Sequence, residues 1–242
     1  MKSLNVAHRG FSSRYPENTL LAFEEAIEAD CDGIELDVQL SADGELVIIH
    51  DELVDRTTNG TGAVKDKTLR ELRELDASGS FHGLYGINRI PTLMEYFDLI
   101  RGTDILTNIE LKTSVFTYPG IEEKTLTLID RYDLRARIVI SSFNHYSVLR
   151  MQALAPDIAY GFLEESRLID TPGYTASHHV QAVHPEFHMV DETFMEDAQK
   201  HGLAVNVWTV NTEEDMREMV DLGVGMIIGD HPDICRNVLC GF

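Results

Sequence analysis

Glu35 and Asp37 stand two residues apart inside the apolar run "GIELDV", Gly33 to Val38. Alternate residues of a strand share a face, so the two carboxylates must lie side by side. Burying two like charges together is prohibitively costly unless a cation neutralises them. A third acid closes another apolar stretch, "NIELK", where Glu110 and Lys112 again share a face. Three carboxylates carried by strands form an oxygen-rich set suited to a hard divalent ion, Mg2+ or Ca2+; no cysteine accompanies them that would favour zinc. The pair alone would fit a solvated strand end equally well, and Glu110 turns the reading towards a metal.

Two histidines end apolar runs of their own, His8 in "VAHRG" and His50 in "VIIHD". The ends of strands are where barrel enzymes place their chemistry. Imidazole titrates near neutrality, so two of them beside a metal point to a general acid and a general base. Which is which stays open. Arg9 and Lys112 add a guanidinium and an ammonium, a combination suited to phosphate, although either could serve as an ion-pair partner for the acids.

Local cations matter because the chain as a whole is strongly acidic, with 41 Asp and Glu against 20 Lys and Arg and a formal charge of −21. Such a surface repels nucleic acid and anionic bilayers. A small-molecule substrate is the expected partner, with no nucleic acid and no stable membrane association; the oligomeric state is unreadable. The acidic composition also gives little sign of an apolar rim around a site.

The elements that must position these groups alternate along the chain. Apolar, β-branched runs occur at 4–7, 33–40, 46–49, 105–111, 137–141, 158–163, 181–183, 204–210 and 226–228. Helical periodicity marks 19–29, 93–100, 120–132, 145–154, 192–201 and 212–222. This alternation predicts a parallel sheet wrapped by helices. Nine strands are one too many for an eightfold barrel, and only "SADGE" separates the second run from the third. A parallel crossover needs a dozen or more residues, while Asp-Gly signals a hairpin, so this pair is expected to be antiparallel. A plain register centred on Asp43 sets His50 opposite Leu36, on the wrong face; either a bulge at Gly44 or a position past the strand end would correct it. The irregular stretch 51–89, directly after His50 and containing the charged helix "LRELREL", is expected to cap the site.

A length of 242 residues with 43% hydrophobic content can bury a core without disulfides or a structural metal, and one domain over 1–242 is expected. Cys31, Cys235 and Cys240 are odd in number and show no ligand spacing, which fits a reducing compartment. With no secretory core at the start and no long apolar run, a cytoplasmic protein is expected.

The blocks "AHRGFSSRYPENTLLAFEEAI", "DGIELDVQLSADGELVIIHDELVDRTTNGTG", "IPTLMEYFDLI", "NIELK" and "VNVWTVN" span most of the chain. In this order the chain resembles the glycerophosphodiester phosphodiesterase family. The resemblance implies an α/β fold, a distorted TIM-like (β/α)8 barrel with a small insertion after the third strand. It implies metal-dependent cleavage of glycerophosphodiesters, such as glycerophosphocholine and glycerophosphoethanolamine, to sn-glycerol 3-phosphate and an alcohol. Glu35, Asp37 and Glu110 would be metal ligands, His8 and His50 the acid and base, and Arg9 with Lys112 the phosphate holders. Glu17 and Asn18 would buttress the "HRG" turn, with a helix N-cap as the rival role for Asn18. Trp208 would reach the barrel mouth and touch the glycerol carbons, or else fill core. Phe11 carries the same ambiguity, and the other histidines read as surface or structural.

At Gly225, Met226 and Gly229, in "GVGMIIGDHPD", the chain departs from the family's usual Asp, Gly and Thr. The rival functions are a related barrel phosphodiesterase acting on lysophospholipids or phosphoinositides, and a non-catalytic glycerophosphodiester-binding protein.

Overall fold

The computed structural model describes residues 2–241. Eight strands form a closed parallel ring: β1 (Leu4–His8), β2 (Gly33–Leu40), β4 (Leu106–Leu111), β5 (Ile138–Ser142), β6 (Ala159–Glu164), β7 (Ala182–Pro185), β8 (Ala204–Val207) and β9 (Met226–Gly229). Pairing of β1 with both β2 and β9 closes it. β3 (Leu46–Ile48) stands outside the ring, antiparallel to β2.

The register of β2 explains how the site is assembled. One edge of β2 pairs with β4 from Gly33 to Val38. On the other edge β1 runs up to the His8–Glu35 pair, while β3 descends from Leu40 to Val38 and Ile49 N–H reaches Asp37 O. His8 and His50 therefore approach the same few residues of β2 from opposite directions. Of the two ways of bringing His50 to the acids, the plain register past the strand end is the one found; Val38 pairs with Ile48 and Leu40 with Leu46, leaving no bulge.

Helices cover the ring: α1 (Leu20–Glu28), α2 (Leu69–Glu74), α3 (Leu93–Leu99), α4 (Ile121–Arg131), α5 (His145–Leu154), α6 (Thr171–Ser177), α7 (Glu192–Lys200), α8 (Glu213–Leu222) and α9 (Pro232–Cys240). Their starts are well specified. Thr19 caps α1 by accepting from Ala22 N–H, and Thr68 with Glu71 and Thr92 with Glu95 form reciprocal capping boxes on α2 and α3. α6 and α9 escape the periodicity reading; each carries a proline in its first turn, which starts a helix well but obscures its apolar spacing.

Side chains of the ring alternate between two cores. Ile34, Leu36 and Val38 face outward into the large cluster shared with the helices. Inside, Val6, Val139, Met226 and Ile228 plug the barrel together with Leu4 and Leu106. The next inward layer, towards the carboxyl ends, holds His8, Glu35 and Glu110. Apolar filling thus supports a charged floor, as barrel layering requires. The segment between β3 and α3 has a small core of its own, Val54, Val64, Leu72, Ala77 and Ile90, packed on Val47 and Ile49.

Candidate active site

The three acids meet. One carboxylate oxygen from each of Glu35, Asp37 and Glu110 lies within 4.8 Å of the others, and all three residues are buried. Asp37 and Glu110 are register partners on β2 and β4. Burial, with Asp37 and Glu110 nearby, pushes the Glu35 carboxyl well above the usual carboxylate range. Burial also raises Glu110, only partly opposed by Lys112. For Asp37 burial acts in the same direction, but the charges of Lys112 and Arg9 outweigh it and hold this group low.

The acids accept few compensating contacts. Lys112 Nζ lies 2.8 Å from Glu110 Oε1 and 3.7 Å from Asp37 Oδ1. Arg9 donates its backbone N–H to Glu35 Oε2 (3.1 Å), while its Nε lies 3.4 Å from Asp37 Oδ2. Asn18 Nδ2 donates to Asp37 Oδ2 (2.8 Å). Asp37 Oδ1 is left buried with no hydrogen-bond partner. An all-oxygen group, short of donors and carrying a raised carboxyl pKa, fits a hard divalent cation.

Each imidazole is fixed through Nδ1. His8 Nδ1 lies 2.7 Å from Asp230 Oδ1, and Asp230 also accepts from Ser12 Oγ and Asn211 Nδ2. Burial would raise Asp230, but the bond to His8, helped by these donors, lowers it to about 2. His50 Nδ1 lies 2.6 Å from Asp51 Oδ1. Arg56 grips the same carboxylate through Nε and Nη2, and that bond is the main reason Asp51 falls to about 2. Because both carboxylates are ionised, Nδ1–H donates in each pair and Nε2 is the free nitrogen. His8 Nε2 is 4.0 Å from Glu35 Oε2.

Glu17 joins the two halves, accepting from Arg9 Nη1 (2.9 Å) and from both terminal nitrogens of Arg56. The "HRG" turn itself needs unusual backbone. Arg9 and Asn18 adopt positive φ, with Asn18 N–H bonded to Arg9 O, and a Cβ on Gly10 would lie 2.7 Å from the Ala22 backbone. The N-cap role weighed for Asn18 belongs to Thr19 instead, since the Asn18 side chain is turned inward to Asp37. Phe11 is buried in the main core, edge-on to Tyr15.

A cavity of about 50 Å³ lies over the acids. His8, Arg9, Glu35, His50, Asn108 and Glu110 form its polar half; Phe143, Leu163, Trp208 and Ile228 form the other. Trp208 donates Nε1–H to His184 O and meets Phe143 edge-on, centroids 5.5 Å apart. His8, Arg9, Glu35, Asp37, His50, Glu110, Lys112, Glu17, Asn18 and Trp208 are thus gathered in one place.

A model of the glycerophosphoryl diester phosphodiesterase family matches residues 8–234. The chain belongs to that family. A glycerophosphodiester phosphodiesterase of Caldanaerobacter subterraneus subsp. tengcongensis is 45% identical over 239 residues, covering 99% of this chain and 98% of the relative. Another from Bacillus altitudinis is 40% identical, covering 94% of each. An Oleispira antarctica phosphodiesterase, solved in complex with the product sn-glycerol-3-phosphate, superposes with a TM-score of 0.86 at 30% identity, covering 97% of this chain and 96% of its own.

Within this family frame, five residues went unnoticed in the sequence. Asp51 and Asp230 each carried a signal: one follows His50 directly, and the other follows the last strand at its carboxyl end. Asn108 sits two residues before Glu110 and so shares its face. Arg56 and Phe143 carried none, since their contacts depend on how the 51–89 segment and the β5–α5 connection fold back.

Proposed function

We propose that this chain hydrolyses glycerophosphodiesters, glycerophosphocholine and glycerophosphoethanolamine among them, to sn-glycerol 3-phosphate and an alcohol. A divalent ion, Mg2+ or Ca2+, would be held by Glu35, Asp37 and Glu110. The observation that carries this reading is the meeting of two carboxylate-backed imidazoles, His8 and His50, over a buried three-acid group. The product bound by the Oleispira relative supports the substrate class.

The bound ion supplies Lewis acidity towards a phosphoryl oxygen and lowers the pKa of a nearby hydroxyl. Arg9 and Lys112 hold the phosphate oxygens and offset the charge that gathers on them as the bond to the leaving alcohol lengthens. One of His8 and His50 takes the proton of the attacking hydroxyl at Nε2, and the other returns a proton to the departing alkoxide. Asp230 and Asp51 keep both Nε2 atoms available by fixing Nδ1. Trp208 and Phe143 pack against the glycerol carbons. Glu17 and Asn18 hold Arg9 and Asp37 in place, and the 51–89 segment caps the site within one barrel domain. Three free cysteines, two of them buried, accord with the reducing cytoplasm as its compartment.

The test is release of glycerol 3-phosphate from a panel of glycerophosphodiesters, first with chelator and then with each ion restored. Product from at least one member, lost with chelator and recovered with ion, is expected. No product with any ion present sinks the proposal.

A further inference from the structure

Along β4 the inward-facing residues pass through three surroundings in turn. Leu106 packs on the apolar plug, Glu110 belongs to the three-acid group, and Asn108 lies between them as the register partner of Glu35. Asn108 is 1% exposed and forms part of the cavity wall. Its amide is held one way round: Nδ2 donates to Ser141 Oγ at 3.0 Å, and Ser141, on β5, is itself fully buried. Oδ1 is buried with no hydrogen-bond partner. The nitrogen is thus turned to the barrel wall, and the oxygen is the polar atom left for the cavity.

A buried carbonyl oxygen without a donor is costly, so its presence beside a cavity points to a ligand that donates. The substrate of the proposed reaction has three parts. Its phosphate oxygens only accept, and the alcohol it releases differs from one glycerophosphodiester to the next. The glycerol hydroxyls can donate and are common to all. From these facts we propose that Asn108 Oδ1 accepts a hydrogen bond from a free hydroxyl of the glycerol, making Asn108 a specificity-determining residue. This deepens, and rests on, the phosphodiesterase reading above. The glycerol end sits on the cavity floor between Asn108 and the aromatic side chains of Phe143 and Trp208, and the departing alcohol lies towards the mouth. A cavity of about 50 Å³ has room for little more than that one end. The chain therefore selects diesters by the glycerol they share. A diester with a plain alkyl group in its place leaves Oδ1 buried and unpaired, and is rejected.

The test is calorimetry, with divalent ion saturating, of sn-glycerol 3-phosphate against propyl phosphate, which keeps the phosphate and the three-carbon chain but has no hydroxyl. The wild type is expected to bind the first about tenfold or more tightly than the second. Asn108→Leu, similar in volume, should weaken sn-glycerol 3-phosphate about tenfold and change propyl phosphate less than about twofold, with kcat/KM for glycerophosphocholine falling alongside. Asn108→Ala gives the same comparison if the leucine variant does not fold. Loss of packing alone would weaken both ligands alike, so an unchanged ratio in the variant overturns the inference, as do equal affinities in the wild type. Ion affinity should be the same in wild type and variant; its loss would assign Oδ1 to the ion and overturn the hydroxyl role. In each of these cases, cleavage of glycerophosphodiesters by the wild type leaves the phosphodiesterase reading standing. Absence of product from every member of the panel overturns that reading and this inference with it.

Discussion

His8 Nδ1 and Asp230 Oδ1 lie 2.7 Å apart, joining residues separated by 222 positions in the chain. The carboxylate is held ionised by the donors around it, so it fixes the imidazole tautomer. Replacing Asp230 by Asn keeps the shape, removes the charge and presents an amide that can impose the wrong tautomer. Asp230→Asn is expected to lower kcat by about 10²-fold or more with little change in KM, and to lower Tm at neutral pH because the ionised carboxylate contributes stability. A kcat within about twofold of wild type would show that His8 needs no such support.

Arg56 grips two carboxylates at once, Asp51 behind His50 and Glu17 behind Arg9. A lysine cannot make these paired bonds, since its ammonium lacks the planar fork. Arg56→Ala should reduce kcat roughly 10- to 100-fold, as loss of a group supporting site residues does, and Arg56→Lys should recover only part of it. Wild-type activity in Arg56→Lys would mean that charge alone, not the fork, is what Arg56 contributes.

The contrast between these residues shows what the sequence could reveal. Glu35 and Asp37 are legible because strand periodicity forces a shared face, and Glu110 repeats the pattern in a second strand. The antiparallel β2–β3 pair is legible because five residues cannot make a parallel crossover. Arg56 is not legible, since nothing local distinguishes it from any exposed arginine, and its two partners are 5 and 39 residues away.

Glu35 predicts a pH effect that depends on the ion. Its folded-state pKa is raised by burial and by Asp37 and Glu110, so the folded chain holds this proton more tightly than the unfolded chain does. Without an ion, the contribution is full below the usual Glu pKa, about 4.3, and is lost as pH rises through the raised value. Thermal melts of chelated protein should therefore show a stability loss with rising pH that added divalent ion reverses. Calorimetry in two buffers of different ionisation enthalpy should detect proton release on ion binding. Glu35→Gln should weaken ion affinity and diminish that release; unchanged affinity would remove Glu35 from the ligand set.

His184 predicts a second, opposite limb. The ring is fully buried, with Nε2 2.8 Å from Asn206 Nδ2, and it occupies space that only a glycine at 161 leaves open. Burial lowers its pKa to about 3. The unfolded chain takes up the proton near pH 6.5, so the contribution is present above that pH and lost as pH falls towards 3. By pH 4.5 the loss amounts to roughly 2–3 kcal/mol. His184→Gln keeps an acceptor for Asn206 but cannot titrate. Its denaturant-derived stability should start lower than wild type at pH 7 and fall less between pH 7 and pH 4.5. Parallel curves for the two proteins would show that acid sensitivity arises elsewhere, among carboxylates such as Asp51 and Asp230, whose lowered pKa values also cost stability on acidification, but in a window below about pH 4. The two sources therefore separate by where on the pH axis the wild-type curve bends.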